Sequence, residues 1–427
     1  MSLDDLLKRN SGLEIAAAVA ARQVTIGEIR TGYLAAIAER ERIVKAFAHF
    51  DCEKFLASTL VVGPLEGLPV GFKDIIDVAG MPCECGSPIY RNYIPRGDAP
   101  IVSMVRRAGG TVAGKTVTSE FATREPGPTT NPRDPTRTPG GSSSGSAAAV
   151  AAGFLPFAIG TQTGGSTIGP ASFCGVAALK PSFGLVPYSG IRATSWTLDT
   201  LGFYGRNVRD VAFLAGSITG QDLAVNDGVQ WMPRIGVARM KVWEQISADM
   251  SEAIVAACDM SKSRGAHVVS LPVHPIFENA YQAQFLIQDF EKARCLAFEI
   301  DTHSALLSAT LEQAIRDGWS IPVAHYVAAI DAAKRAQAAS YDLFREVDVL
   351  IAPSASGAAS IGLETTGSPN LNRLWTLLGL PCVSVPSLSD GSGMPLGISV
   401  VAPMGDDRRA LRAASWLQET LSGGARC

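Results

Sequence analysis

Apolar and polar residues follow two different rhythms along this chain. Over residues 3–48 the apolar positions return with helical spacing, in IAAAVAAR and again in IRTGYLAAIAERERIVKAF, with charged faces between them. Helices are expected there. Thr25, with Glu28 three residues later, forms a capping-box pattern that opens the second of them. From Gly67 the rhythm changes. GLPVGFKDIIDVAG (67–80) reads as one or two strands punctuated by turns, 100–108 as a helix and 110–118 as a buried strand. Residues 124–141 are dense in Pro, Thr, Asn and Asp and read as loop. Ser142 to Ser144 then stand before AAAVAAG, as caps stand before a helix, and this helix should end near Gly153. A short buried strand over 157–161 runs into Thr163-Gly-Gly-Ser166. Helical patterns fill 209–219, 248–264, 275–298 and 306–345, and 347–353 and 396–403 read as central strands. Strands and helices interleave without a linker or a repeat, which predicts one large α/β domain over residues 1–427.

Composition narrows the function classes. The chain is 47% hydrophobic and 18% charged, with 37 basic against 40 acidic side chains. A formal net charge of -3 leaves no electrostatic footprint for nucleic acid or an anionic membrane. The longest apolar run, 147–159, is too short to span a bilayer and contains Gly153 and Pro156. The start lacks the basic-then-apolar order of a signal peptide, so a cytoplasmic protein is expected. Its eight scattered cysteines fit free thiols. Cys83-Glu84-Cys85 has no second pair and no nearby histidine, so no metal site is expected.

Three patterns compete to carry chemistry. Gly109 to Thr116 is a formal phosphate-loop match ending in Lys115-Thr116. Such a loop must follow a strand and open a helix. Here a helical pattern precedes and a β-branched run follows, so a strand carrying Lys115 is the better reading. Gly141-Ser-Ser143-Ser-Gly145 is a formal G-x-S-x-G, with Ser143 at the nucleophile position. A Pro/Thr/Arg loop precedes it, not the strand that a nucleophile elbow needs. None of the five histidines has distinctive surroundings. The third pattern is Lys73, Ser142 and Ser166. Lys73 interrupts an apolar run, and its plain reading is an edge-strand lysine paired with Asp74 or Asp77. The alternative is a desolvated lysine acting as a base. At an ordinary pKa of about 10.4 a lysine is neutral only about 0.04% of the time at pH 7, so burial would have to lower it by several units. Ser166 follows two glycines that would let consecutive N–H groups turn inward as an oxyanion hole.

At these residues the chain resembles the amidase signature family, serine hydrolases with a Ser–cis-Ser–Lys triad. The matching pieces are GLPVGFKDIIDVAG (67–80), GGTVAGKTVTSEFA (109–122), PGGSSSGSAAAVAAG (139–153) and GTQTGGSTIGPASFCGVAALKPSFGLVP (160–187). TGSPNLNRLWTLLGLPCVSVP (366–386) and MPLGISVVAP (394–403) match near the C-terminus, and the match is weakest over 209–346.

The resemblance implies a single domain with a mixed central β-sheet flanked by helices on both faces. Residues 1–60 would be N-terminal helices, 61–206 the signature core, 207–346 a variable and mainly helical region, and 347–427 the rest of the core. It implies Ser166 as nucleophile, Ser142 as proton bridge and Lys73 as base. The backbone of Thr163, Gly164, Gly165 and Ser166 would form the oxyanion hole.

No cofactor or metal is implied, and the substrate would be a small amide, aryl amide, urethane or ester. Tyr90, the segment around Trp196 and the weakly matching middle region (209–346) are expected as pocket walls. Many members carry an arginine just after the nucleophile, but here those positions are Ile168 and Gly169. A neutral, bulkier acyl group is therefore expected in place of a malonamate-like one. Gln162 stands where an aspartate is usual. Two alternatives stay open: the amidase-like subunit of a tRNA-dependent amidotransferase, and an α/β-hydrolase esterase using Ser143. The N-terminal helices offer a surface for a homodimer contact.

Overall fold

The computed structural model describes residues 3–225 and 231–423. Among the described residues eleven strands form one sheet: β1 (Phe47–Phe50), β2 (Pro69–Lys73), β3 (Thr111–Thr116), β4 (Phe157–Gln162), β5 (Ala177–Lys180), β6 (Thr200–Gly205), β7 (Ile235–Ala238), β8 (Val268–Leu271), β9 (Val349–Pro353), β10 (Cys382–Ser389) and β11 (Pro395–Val401). Their order is β1-β3-β2-β4-β6-β5-β10-β11-β9-β7-β8. The sheet is mixed. β2 runs parallel to β3 and β4, and β7 parallel to β8 and β9, while the remaining pairs are antiparallel.

Every residue of β2, β3, β4 and β6 is buried, as a sheet covered on both faces requires. Alternation in β4 shows the two sides. Phe157 and Ile159 join the large core that also takes Phe203, Val211 and Leu214. Ala158 faces a smaller cluster with Ala147, Val150, Ala171 and Tyr204. The helix Val208–Thr219 covers the first side; the helices Ser144–Ala151 and Ile168–Cys174 cover the second.

Two glycines let the helix Ser144–Ala151 lie close to the sheet. A Cβ at Gly145 would run into the Ala46 carbonyl and the Val117 nitrogen, and one at Gly160 would lie 2.7 Å from Ser143 Oγ. We expect Gly160→Ala to destabilise the fold by about 1–3 kcal/mol, read as a lower urea midpoint with an unchanged m-value.

The Thr25–Glu28 capping box is formed. The N-terminal helix ends at Val44, earlier than its pattern suggested. Lys45 takes a left-handed conformation (φ 53°) that turns the chain into edge strand β1. The mainly helical middle region also contains β7 and β8, which extend the other end of the sheet. Their four-residue runs are too short for periodicity to separate them from helix. Lys115 lies inside β3, after the helix Pro100–Arg107, so no helix opens behind Gly109 and Gly110 and the phosphate-loop geometry is absent there.

Among the described residues no helix is long and apolar enough to cross a membrane. Seven cysteines are free thiols, and Cys427 lies outside the described residues.

Candidate active site

β2 carries Lys73 at its end, between β3 and β4, so this lysine belongs to an interior strand and not to an edge. Its side chain is fully buried. Nζ donates to Ser142 Oγ at 2.7 Å and to Thr161 Oγ1 at 2.8 Å. The nearby carboxylate, Asp74, is taken by Lys115 at 2.9 Å instead, which removes the plain reading of a Lys73–Asp74 ion pair. A buried ammonium bonded only to hydroxyls loses hydration without gaining an anion, and the Lys73 pKa falls to about 7. Burial is the cause; the charge on Asp199 opposes it. Roughly half of such lysines are neutral at pH 7, against about 0.04% for an ordinary one.

Ser142 is buried and follows a cis Gly141–Ser142 peptide bond. Ser166 closes the turn between β4 and the helix Ile168–Cys174. The carbonyls of this turn are held by groups outside it. Gln284 Nε2 donates to the Thr163 oxygen at 3.2 Å, Thr376 Oγ1 to the Gly164 oxygen at 3.0 Å, and the Tyr204 hydroxyl to the Ser166 oxygen at 3.3 Å. No acceptor among the described residues takes the N–H of Gly164, Gly165 or Ser166. All three residues, with Thr163, line a cavity of about 500 Å³. Unclaimed N–H groups beside a serine are what a developing oxyanion requires. Ser166 Oγ has no hydrogen-bond partner among the described residues, and no hydrogen bond joins it to Ser142 Oγ. A hydrogen bond thus joins Lys73 to Ser142 but none joins Ser142 to Ser166 among the described residues, a contact that substrate-free sites often leave long.

Gln162 fixes the turn. Its Oε1 accepts the N–H groups of Thr167 and Ile168 at 3.0 and 3.1 Å, while its Nε2 donates to Thr376 Oγ1 at 3.0 Å. A neutral amide serves both directions here, which a carboxylate could not.

The structure keeps Ser143 away from the cavity. Its hydroxyl is buried, donating to the Thr161 oxygen at 3.1 Å and accepting from the Thr161 nitrogen at 3.2 Å. No histidine lines the cavity either. The G-x-S-x-G alternative is corrected on this geometry.

Of the expected pocket walls, Tyr90 and Trp196 are corrected, while the middle region does contribute. Tyr90 donates to Glu299 Oε1 at 2.6 Å, packs against Phe121 and lies under the Arg192 guanidinium at 4.5 Å. Trp196 packs edge-on to Tyr326. Neither lines the cavity that holds Ser166. Its walls come from residues 122–126, from Phe285, Gln288, Asp289 and Lys292, and from residues 364–370 with Arg373. An arginine therefore does stand in the cavity, delivered by a distant helix and not by the residues after the nucleophile. Gly169 leaves open space, with nothing within 4 Å of a Cβ placed there.

Asp199 carried no signal in the sequence. Fully desolvated, it accepts Thr163 Oγ1 at 2.6 Å and the N–H groups of Thr194 and Ser195 at 2.8 and 3.1 Å. Burial raises its pKa, against these hydrogen bonds. Because its negative charge raises the pKa of Lys73, Asp199→Asn should move the Lys73 titration below about 7. The check is the acid limb of the kcat/KM profile, which should shift to lower pH in the variant.

The chain also resembles known proteins in sequence and in fold. A family model described as Amidase matches residues 33–411. The A-type subunit of glutamyl-tRNA(Gln) amidotransferase from Acidothermus cellulolyticus is 32% identical over 97% of this chain and 95% of its own length. A solved structure described as an amidase superposes with a TM-score of 0.85 at 26% identity, covering 96% of this chain and 99% of that one. The corresponding A-type component of the Thermotoga maritima glutamyl-tRNA(Gln) amidotransferase gives a TM-score of 0.75 at 27% identity, over 97% of this chain and 93% of its own. A family match over most of the chain joins a mixed sheet that brings a buried lysine, a serine after a cis bond and a glycine-flanked serine to one end of its central strands. This chain belongs to the amidase signature family.

Proposed function

We propose that this protein hydrolyses a carboxylic amide through an acyl-enzyme on Ser166. Neutral Lys73 accepts a proton from Ser142, which accepts one from Ser166 as Ser166 Oγ attacks the carbonyl carbon. The carbonyl oxygen becomes an oxyanion held by the N–H groups of the 163–166 turn. As the C–N bond breaks, the proton returns through Ser142 to the leaving nitrogen, which departs as ammonia or an amine. Water then attacks the acyl-enzyme, giving its proton to the same relay, and the acid leaves as the Ser166 oxygen is reprotonated. A bridging hydroxyl both donates and accepts, so Ser142 passes protons without holding a charge. The observation that carries this reading is the buried Lys73 Nζ, 2.7 Å from Ser142 Oγ and without a carboxylate partner.

The named relatives weigh toward a second setting for the same chemistry. Amidotransferase relatives at 32% identity favour a chain that releases ammonia from an amide within a larger assembly. Likeness of shape leans the other way, with a TM-score of 0.85 to the amidase against 0.75 to the Thermotoga protein. Ammonia release by the purified chain from a panel of amides including glutamine separates the two. Turnover by the chain alone supports the free-standing hydrolase. Turnover that needs partner subunits, recovered with the tagged chain from its native cells, supports the amidotransferase setting. Absence of ammonia release under both conditions contradicts the proposal.

A further inference from the structure

The cavity in front of Ser166 contains a buried positive charge with no anion of its own. Arg373 projects from the helix Asn370–Leu377, one turn before the Thr376 that holds the Gly164 carbonyl. This places the Arg373 stem beside the oxyanion turn: a Cβ at Gly164 would lie 3.8 Å from Arg373 Cγ and 3.7 Å from Gln288 Oε1. Arg373 is 3% exposed, yet all its protein partners are neutral amides. Nη1 donates to Gln284 Oε1 and, at 2.8 Å, to Gln288 Oε1; Nε donates to Asn370 Oδ1 at 3.2 Å. The Phe285 ring stacks on the guanidinium, 4.0 Å from Cζ. Nη2 has no hydrogen-bond partner among the described residues, and it is not among the polar atoms sealed inside the core without one. It is left for the cavity.

The other charges of the cavity do not neutralise it. Asp289 is paired with Lys292 at 2.7 Å, and its charge favours the Arg373 guanidinium without outweighing burial and Arg124. Glu125 and Glu364 lie at the exposed mouth, as does Arg124, which forms no ion pair among the described residues. Burial, and next the like charge of Arg124, push the Arg373 pKa down to about 10. An unpaired charge is costly to bury. Its rotamer is nonetheless fixed in advance by three amides and a ring, as in a site built to receive a ligand.

We propose that Arg373, assisted by Arg124 at the mouth, forms a carboxylate-binding subsite, and that the substrate is a small amide which itself carries a carboxylate. The proposal rests on Ser166 as the acyl acceptor and names the substrate class for that site. It replaces the neutral acyl group suggested by Ile168 and Gly169: the guanidinium reaches the cavity from the C-terminal part of the chain. A guanidinium edge held in place presents its N–H groups to a carboxylate in the geometry that such pairs favour.

The test compares kcat/KM for ammonia release from succinamate and from butyramide, which are of similar size and differ by the carboxylate. Wild type should prefer succinamate by roughly 10- to 100-fold. Arg373→Gln should bring that ratio to about one, and Arg124→Gln should lower it in part and weaken its salt dependence. Each ratio is taken within one preparation, so loss of folded protein cancels. If Arg373→Gln fails to fold by circular dichroism, the wild-type and Arg124→Gln ratios carry the test. Succinate should also slow fluorophosphonate labelling of Ser166 in wild type, and less so in the variants. A wild-type preference for butyramide, or a succinamate preference that survives both substitutions, overturns the subsite while leaving Ser166 chemistry intact. Failure of Ser166 to label at all counts against the reading on which the subsite rests.

Discussion

Replacing Ser166 by alanine should lower kcat/KM for amide hydrolysis by about three orders of magnitude or more while leaving the fold in place. The fold should survive because Ser166 Oγ makes no hydrogen bond among the described residues and the residue is only half-buried. On the proposed mechanism what is lost is the atom that forms the acyl bond, with no neighbour placed to replace it. Ser143, the nearest rival in sequence, is fastened to both backbone groups of Thr161. Ser143→Ala should therefore cost stability, by about 1–3 kcal/mol for the Thr161 N–H left unpaired, and not turnover per folded molecule. Steady-state kinetics with thermal melts on the two variants separate these effects. A Ser166→Ala enzyme with more than about a tenth of wild-type activity would contradict the assignment.

Lys73→Met should be nearly as damaging, by about 10²- to 10⁴-fold, because it removes the base and keeps the volume. The pH profile carries the sharper information. With Lys73 titrating at about 7, activity should rise with pH through that value and level off above it, since the working form is the deprotonated amine. In Lys73→Met that limb should vanish. Stability follows the same sign. The unfolded lysine holds its proton up to about pH 10.4 and the folded one only to about pH 7. Between these values the unfolded state binds more protons, so this group's contribution to stability grows as pH rises through the window. Lys73→Met should flatten that dependence, as read from urea midpoints between pH 7 and 10. An activity profile flat from pH 6 to 9 would show that Lys73 is not the base.

The parts of the site that were legible in the sequence are those with local chemistry. Glycines and serines crowded between short apolar runs marked both serine turns, whereas Lys73 read by itself as a paired edge-strand lysine and only the resemblance singled it out as a candidate base. The capping box and the buried strands around 111–116 and 157–162 could be read in the same way. That the middle region would wall the cavity could be expected, but not which of its side chains do so. Arg373, Gln284 and Gln288 lie more than a hundred residues from Ser166, on helices whose periodicity reports burial and not what the buried face meets. Asp199 looks like any loop aspartate until Thr163, Thr194 and Ser195 close on it. Tyr90 and Trp196 are expected as pocket walls, but the Tyr90 hydroxyl already belongs to Glu299 and Trp196 packs against Tyr326. Strands such as AALK in β5 and the proline-containing CVSVPSLS of β10 gain their identity from neighbours in the sheet, not from propensity.

The most direct measurement is the intact mass of the protein after reaction with a fluorophosphonate, followed by peptide mapping. The account predicts one adduct per chain, carried by Ser166, formed faster as pH rises through about 7, and absent from Ser166→Ala. An adduct on Ser143 or elsewhere that persists in Ser166→Ala would contradict it.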